Sequence, residues 1–353
     1  MLVFHINTGP ERIGSQCSSF VRTKNKSNFI MKVLFLASLL VVAASASLLQ
    51  EHAVKFQAFK MVHGKSYLNQ VEEAKRFSIF RDNLRAIEEH NALYEQGLVS
   101  YKQKITKFTD KTQEEFKAYL SLHKKPTLLK TTKYIKTGVA VPESVDWRAQ
   151  GQVTGVKDQA DCGSCWAFSL TGSTEGAHYR KTGKLVALSE QQLIDCTTDL
   201  NYGCEGGYLD QSFPYVEEKG LQSEESYPYE AEDGTCRYNA SAVVTKTTSH
   251  VSIEAEDESA LLEVVATIGP VSVAINADYI TYYASGVFED ERCTADGLDH
   301  GVLVVGYGTE NGKDYWIVKN SWGAEWGDEG YFKLARGTNE CGIAEDTVYP
   351  VIA

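Results

Sequence analysis

The sequence has no internal repeat and no low-complexity tract across its 353 residues, which excludes solenoids and fibrous arrays. It is also short of apolar runs. The only long one is "VLFLASLLVVAASAS", which follows Lys32 and ends at the small residues Ala44, Ser45 and Ala46. Its apolar core of about a dozen residues is too short to span a bilayer and reads as a secretory signal peptide over residues 31–46. Residues 1–30, polar and without periodicity, read as an extension upstream of the true start, the alternative being a longer leader. The hydrophobic content of 43% is that of a globular chain large enough for one big domain or two.

Cysteine is scarce. Of eight, Cys17 lies in the leader, and seven remain: Cys162, Cys165, Cys196, Cys204, Cys236, Cys293 and Cys341. An odd number in a secreted chain leaves one thiol unpaired. The closest pair, Cys162 and Cys165 in "ADCGSCWAFS", has the spacing of a redox pair or of half a zinc site. No second Cys or His pair of comparable spacing follows, as zinc would need. The flanking sequence also lacks the βαβ pattern of a thioredoxin-like protein. One structural and one reactive cysteine is the reading that remains.

Charge is divided along the chain. Residues 1–140 carry 22 Lys and Arg against 11 Asp and Glu, whereas residues 141–353 carry 13 against 36. The basic residues sit in helical patterns without interleaved aromatics, which disfavours nucleic acid and points to the acidic segment as their partner.

Phe77, Phe80, Leu84, Ile87 and Tyr94 fall on one face of a helix predicted from Val71 to Gln96, which Gly97 ends. A shorter helix carrying Val54, Phe56, Phe59 and Met61 precedes it. Residues 121–141 read as an extended linker, with Pro142 as the boundary. Beyond it, helices are predicted near 165–181 and 188–195. The runs "GPVSVAI", "HGVLVVGYG", "DYWIVKN" and "GYFKLAR" read as strands. A helical half followed by a β half predicts two lobes with a substrate cleft between them.

Three segments, "QADCGSCWAFS", "LDHGVLVVGYG" and "KNSWGAEWGDEGYF", together resemble the papain-like cysteine proteases. The resemblance implies an α+β fold with a helical lobe and a β-barrel-like lobe. It implies Cys165 as a nucleophile whose thiol pKa is depressed at a helix N-terminus. His300 would be its ion-pair partner and general acid, with Asn320 orienting the ring and Trp322 screening that contact. Gln159 would join the Cys165 N–H in holding the oxyanion. By the same resemblance Cys162 pairs with Cys204, Cys196 with Cys236 and Cys293 with Cys341, leaving Cys165 free.

Glu72, Arg76, Phe80, Asn83, Ile87 and Asn91 keep the spacing of the ERFNIN helix of cathepsin L-like propeptides. A second propeptide pattern, G-x-N-x-F-x-D, is half kept: Phe108 and Asp110 match, while Lys104 and Thr106 replace Gly and Asn. The implied organisation is a signal peptide at 31–46, an inhibitory propeptide at 47–140 and a peptidase domain at 141–353. The propeptide would run through the cleft in the non-productive direction and be released in acid.

For substrate recognition, Gly206 and Gly207 in "GCEGGYLD" would pair with an extended peptide. Leu209, Ala274 and Leu298, with Tyr208 at the edge, would form an apolar pocket for the second residue upstream of the cut. Asp346, where the family usually has a small residue, either faces that pocket and pairs with Arg or points to solvent. No histidine pair lies between Cys165 and Cys204, so an endopeptidase is expected. Asn239 in "NAS" is a glycosylation sequon. No cofactor or metal is implied. Expected partners are protein and peptide substrates, the chain's own propeptide and cystatin-like inhibitors, for a monomer without nucleic-acid or membrane partners. The compartment would be the secretory pathway, leading to a lysosome or the exterior, a gut lumen included. The competing readings are a non-enzymatic binding or storage protein and a disulfide-exchange protein.

Overall fold

Apolar spacing and end-capping residues account for most of the helices in the computed structural model, which describes residues 29, 31–35, 47–123, 132–199 and 201–352. Cys17, most of the leader and residues 124–131 of the predicted linker lie outside the described residues. The chain divides into two units, residues 1–66 and 67–353. In the first, residues 47–62 form helix α1, on which Phe56 and Phe59 lie 6.0 Å apart and near-parallel.

In the second unit, α2 (Gln70–Glu95) starts where the Asn69 side chain accepts the N–H groups of Val71 and Glu72. Phe80, Leu84 and Ile87 form its buried face. It packs over a segment carrying β1 (Tyr101–Gln103) and α3 (Gln113–Lys117). Polar residues between the apolar ones fasten the two together. Arg76 donates to Glu72 and Glu115, each at 2.6 Å, and to the carbonyl of Asp110. Asn83 donates to the carbonyls of Thr109 and Lys111. Asn91 exchanges two hydrogen bonds with the backbone of Gln103. The departures at Lys104 and Thr106 leave the turn closed: Thr109 N–H donates to the Thr106 carbonyl, while Lys104 Nζ and Thr106 Oγ1 donate to the carbonyls of Gly327 and Thr281.

Next come β2 (Thr132–Lys133) and β3 (Val145–Asp146), then a helical lobe of α4 (Cys165–Thr182), α5 (Glu190–Cys196) and α6 (Phe213–Glu218) with the small pair β4 (Leu221–Gln222) and β5 (Val243–Thr245). The rest is β6 (Ser249–Ser252), α7 (Glu258–Thr267), β7 (Val271–Ile275), β8 (Tyr283–Phe288), β9 (His300–Glu310), β10 (Lys313–Lys319), β11 (Tyr331–Ala335) and β12 (Thr347–Val351).

One ten-stranded sheet runs in the order β1-β8-β11-β10-β9-β7-β12-β6-β2, with β3 beside β9. The β half is therefore an open sheet, not a closed barrel. All five residues of β7, Ser272 included, are buried, as in a sheet covered on both faces. Trp147, Val264, Val304, Trp316 and Phe332 belong to the core of the β half, and Trp166, Leu170, Leu193 and Phe213 to that of the helical lobe. Three disulfides join Cys162 to Cys204, Cys196 to Cys236 and Cys293 to Cys341. The described parts of the predicted linker, at either side of residues 124–131, are each anchored by pairing. Leu122 pairs in parallel with Gly207, and β2 pairs in parallel with β6.

Candidate active site

Cys165 is the first residue of α4 and the only unpaired cysteine among the described residues; it is fully buried. Its place exposes it to the unsatisfied N–H groups and the positive dipole end of an 18-residue helix. Gly301 on β9 packs directly on it: a Cβ at Gly301 would lie 3.1 Å from the Cys165 carbonyl oxygen. That close approach seats His300, the first residue of β9, beside α4. His300 Nε2 is 2.8 Å from Asn320 Oδ1, and its Nδ1 makes no hydrogen bond among the described residues. The Trp322 ring stacks on the imidazole at 4.7 Å. The same Asn320 oxygen accepts the Ser321 N–H, which holds the amide in place.

Gln159 is fixed from three sides. Its N–H donates to the Ser321 carbonyl, Ser321 Oγ donates to its Oε1 at 2.7 Å, and its Nε2 donates to the Cys162 carbonyl at 2.9 Å. Tyr229, whose hydroxyl donates to the Gln159 carbonyl and meets Ser164 Oγ, supports the loop. Lys157 ties its start to Glu190 at 2.7 Å.

The cleft is filled by the chain's own residues 121–123. Leu122 N–H donates to the Asp299 carbonyl (3.0 Å) on the β side. His123 N–H donates to Gly207 (2.8 Å), and Gly207 N–H to Ser121 (3.3 Å), on the helical side. Gly206 has φ +119, and a Cβ there would lie 2.0 Å from the Ser121 carbonyl oxygen, so only glycine lets the segment pass. Upstream, Phe108, Phe116 and Tyr119 surround Trp322 with ring centroids 5.1 to 6.4 Å away. Leu122 shares its apolar cluster with Leu209 and Ala274, and Leu298 packs against that cluster. Tyr208 and Tyr202 flank His123. The half-buried Asp346 lies beside Ala274, whose N–H donates to its carbonyl at 2.9 Å. Asn239 is exposed and remote in sequence, its side chain accepting from Ser241.

Electrostatics in this closed form run against the depressed thiol pKa that the sequence leads one to expect. Burial pushes the Cys165 thiol up to about 12, opposed by the N–H groups of Gly301, Trp166 and Ser121. Burial likewise lowers His300 to about 4, despite its bond to Asn320. With water excluded, the neutral thiol and neutral imidazole are the favoured species. Sequence reasoning missed Ser121 to His123, Ser321 and Asp299. No residue type marks a backbone segment that acts through its N–H and C=O groups.

Comparison with known proteins is consistent across sequence and structure. The profile described as papain family cysteine protease matches residues 141–351, and that of the cathepsin propeptide inhibitor domain matches residues 56–116. The chain is 46% identical over 339 residues to cathepsin L of Sarcophaga peregrina, covering 91% of this chain and 100% of that one. It is 46% identical over 332 residues to digestive cysteine proteinase 1 of Homarus americanus, again covering 91% and 100%. Among solved structures, digestive procathepsin L 3 of the Tenebrio molitor larval midgut aligns with a TM-score of 0.81 at 44% identity, covering 85% of this chain and 99% of that chain. A recombinant stem bromelain precursor aligns at 0.78 and 37%, covering 86% and 99%.

Proposed function

Since the chain belongs to the papain family of cysteine proteases and carries a cathepsin propeptide inhibitor domain, we propose that it is the zymogen of a cathepsin L-like endopeptidase whose reacting groups are Cys165, His300, Asn320 and Gln159. The observation that carries this assignment is Cys165 at the start of α4, packed against Gly301, whose neighbour His300 is bonded to Asn320 at 2.8 Å, with residues 121–123 lying across the cleft. The propeptide is residues 47–140 and the peptidase 141–353, following a signal peptide at 31–46. The enzyme acts as a monomer in a lysosome or outside the cell and is open to cystatin-like inhibitors.

When the propeptide leaves, water enters and the proton moves from Cys165 to His300, giving a thiolate and an imidazolium. The thiolate attacks the scissile carbonyl. The oxyanion is received by the Cys165 N–H and Gln159 Nε2, which Ser321 has already oriented. His300 then gives its proton to the departing amine, and water hydrolyses the acyl-enzyme.

That internal proton transfer leaves the number of bound protons unchanged, so it does not by itself make release acid-dependent. One contact does, the pair of Lys136 with Asp257 at 3.0 Å; Lys107 with Asp158, Lys117 with Asp278 and Lys133 with Glu254, at 2.6, 2.6 and 3.4 Å, share its polarity. Burial pushes Asp257 up, but hydrogen bonds from Ser259 and Lys136 outweigh it and hold it below the usual carboxylate range. A carboxylate lowered in the closed form supports that form above its ordinary pKa, and the support is lost as pH falls through the lowered value. An exposed pair contributes little by itself. Acid-treated proenzyme is expected to hydrolyse peptides only with a thiol reductant present; hydrolysis without prior acid, or without reductant, counts against this reading.

Large apolar side chains fit the pocket of Leu209, Ala274 and Leu298. Asp346, adjacent to Ala274 through its backbone, adds acceptance of Arg. In Asp346→Ala, kcat/KM for an Arg substrate should drop at least about fivefold while a Leu substrate changes less than about twofold. Equal losses on both would remove the pairing.

A further inference from the structure

Residues 132–138 form a second anchorage of the propeptide, separate from the cleft. β2 pairs in parallel with β6, and Tyr134 N–H donates to the Ser252 carbonyl at 2.8 Å. Lys136 Nζ reaches Asp257 and Ser259 at the start of α7. The strongest convergence is on one buried side chain of α7, Glu263. Its Oε1 accepts the Tyr134 hydroxyl (2.6 Å), the Thr137 hydroxyl (2.6 Å) and the Thr137 N–H (2.8 Å), while its Oε2 accepts the Gly138 N–H (3.0 Å). Two of the four donors are backbone groups at the start of the junction where the propeptide meets the peptidase. A protease must draw several residues on each side of a scissile bond into an extended conformation of its own choosing. Those two N–H groups cannot pair with a protease while they are committed to Glu263.

We propose that Glu263 holds back cleavage at the Gly138–Val141 junction, so that the propeptide is severed first on the N-terminal side of Thr132 and the junction is cut second. This rests on the reading of the chain as a zymogen whose propeptide is removed by proteolysis. Acid that opens the cleft weakens this strap at Lys136–Asp257 without freeing it from Glu263. Hydrogen bonds from Thr137 and Tyr134 hold the Glu263 carboxylate down to about 2, so its support declines below the ordinary carboxylate range and is fully lost only as pH falls through that value. Lys136 of the strap and Asp257 before α7 pair with each other.

The test uses full-length proenzyme carrying Cys165→Ser, which cannot process itself, with and without Glu263→Ala or Glu263→Gln. Limited trypsin digestion is followed by intact mass, reading cleavage after Lys136 against cleavage after Lys130 in the same molecule. The Lys136 to Lys130 rate ratio is expected to rise at least about fivefold with Glu263→Ala and less with Glu263→Gln, which keeps one acceptor oxygen. An unchanged ratio in both overturns the proposal. Since trypsin does the cutting, this outcome does not depend on the chain being a protease. In active proenzyme, acid processing is expected to pass through a species that begins before Thr132 and retains the strap. That species should convert to the mature form at least about fivefold faster in Glu263→Gln. Simultaneous loss of the strap and the rest of the propeptide in the parent would also overturn it. Hydrolysis of a small peptide by the matured Glu263 variants that keep Cys165 serves as the control for folding.

Discussion

Serine in place of Cys165 is expected to lower peptide hydrolysis by about 10⁴-fold or more, with the three disulfides still paired. The change is a single atom at the start of α4, in a site already packed to full burial, so the fold tolerates it. The chemistry does not. A hydroxyl ionises far above the range in which His300 can take its proton, and the site has no carboxylate bonded to His300 of the kind that assists a serine nucleophile, since the ring partner is the neutral amide of Asn320. The variant is matured in trans by the parent enzyme and assayed on a fluorogenic peptide. Retention of more than about one per cent of the parental rate would show that another group attacks the substrate, and the assignment of Cys165 would fail.

The second large effect is on the thiol itself. Iodoacetamide should label Cys165 at least about 100-fold more slowly in the closed zymogen than in the mature enzyme at neutral pH. With the thiol pushed up to about 12, the thiolate fraction at pH 7 is roughly 10⁻⁵. A thiolate paired with imidazolium is almost fully ionised, although its lower basicity gives back several orders of magnitude in intrinsic nucleophilicity. Ionisation alone therefore leaves a net factor of roughly 10 to 100, and the roof of residues 121–123 adds steric exclusion. The pH profile separates the causes. A thiol whose pKa is raised gains reactivity about tenfold per unit as pH climbs toward that value, whereas the mature ion pair gives a flat profile between about pH 5 and 8. A flat profile in the zymogen would mean that the pair is already ionised beneath the propeptide.

The elements that could be read from sequence are those in which side chains carry the signal. The spacing of Phe80, Leu84 and Ile87 places α2 within one residue of its observed ends, because a buried helical face has to repeat at that period. The runs behind β7 and β9 are readable because they are buried on both sides of the sheet, and those behind β10 and β11 because buried apolar residues recur along them. β8 escapes notice because "YASGVF" mixes small and polar residues, with Ser285 exposed, and is paired along its edge by β1. β1 and β2 are three and two residues long, and their pairing is set by partners more than a hundred residues away. Glu263 gives no sign in the sequence of α7, because its donors lie on a segment 125 or more residues earlier. The neutral state of the Cys165 and His300 pair is likewise illegible, since it follows from water being shut out and not from the identity of either group.

On the division at residue 140 proposed above, the sheet order begins with one propeptide strand and ends with the other. Maturation thus removes the outermost rung at both rims, and β8 and β6 become the borders of the working enzyme. Each newly bare stretch spans only three or two residues, too little to nucleate growth by an incoming chain. The shortness of these two propeptide strands thereby lets the protein discard its own covers without becoming self-adhesive.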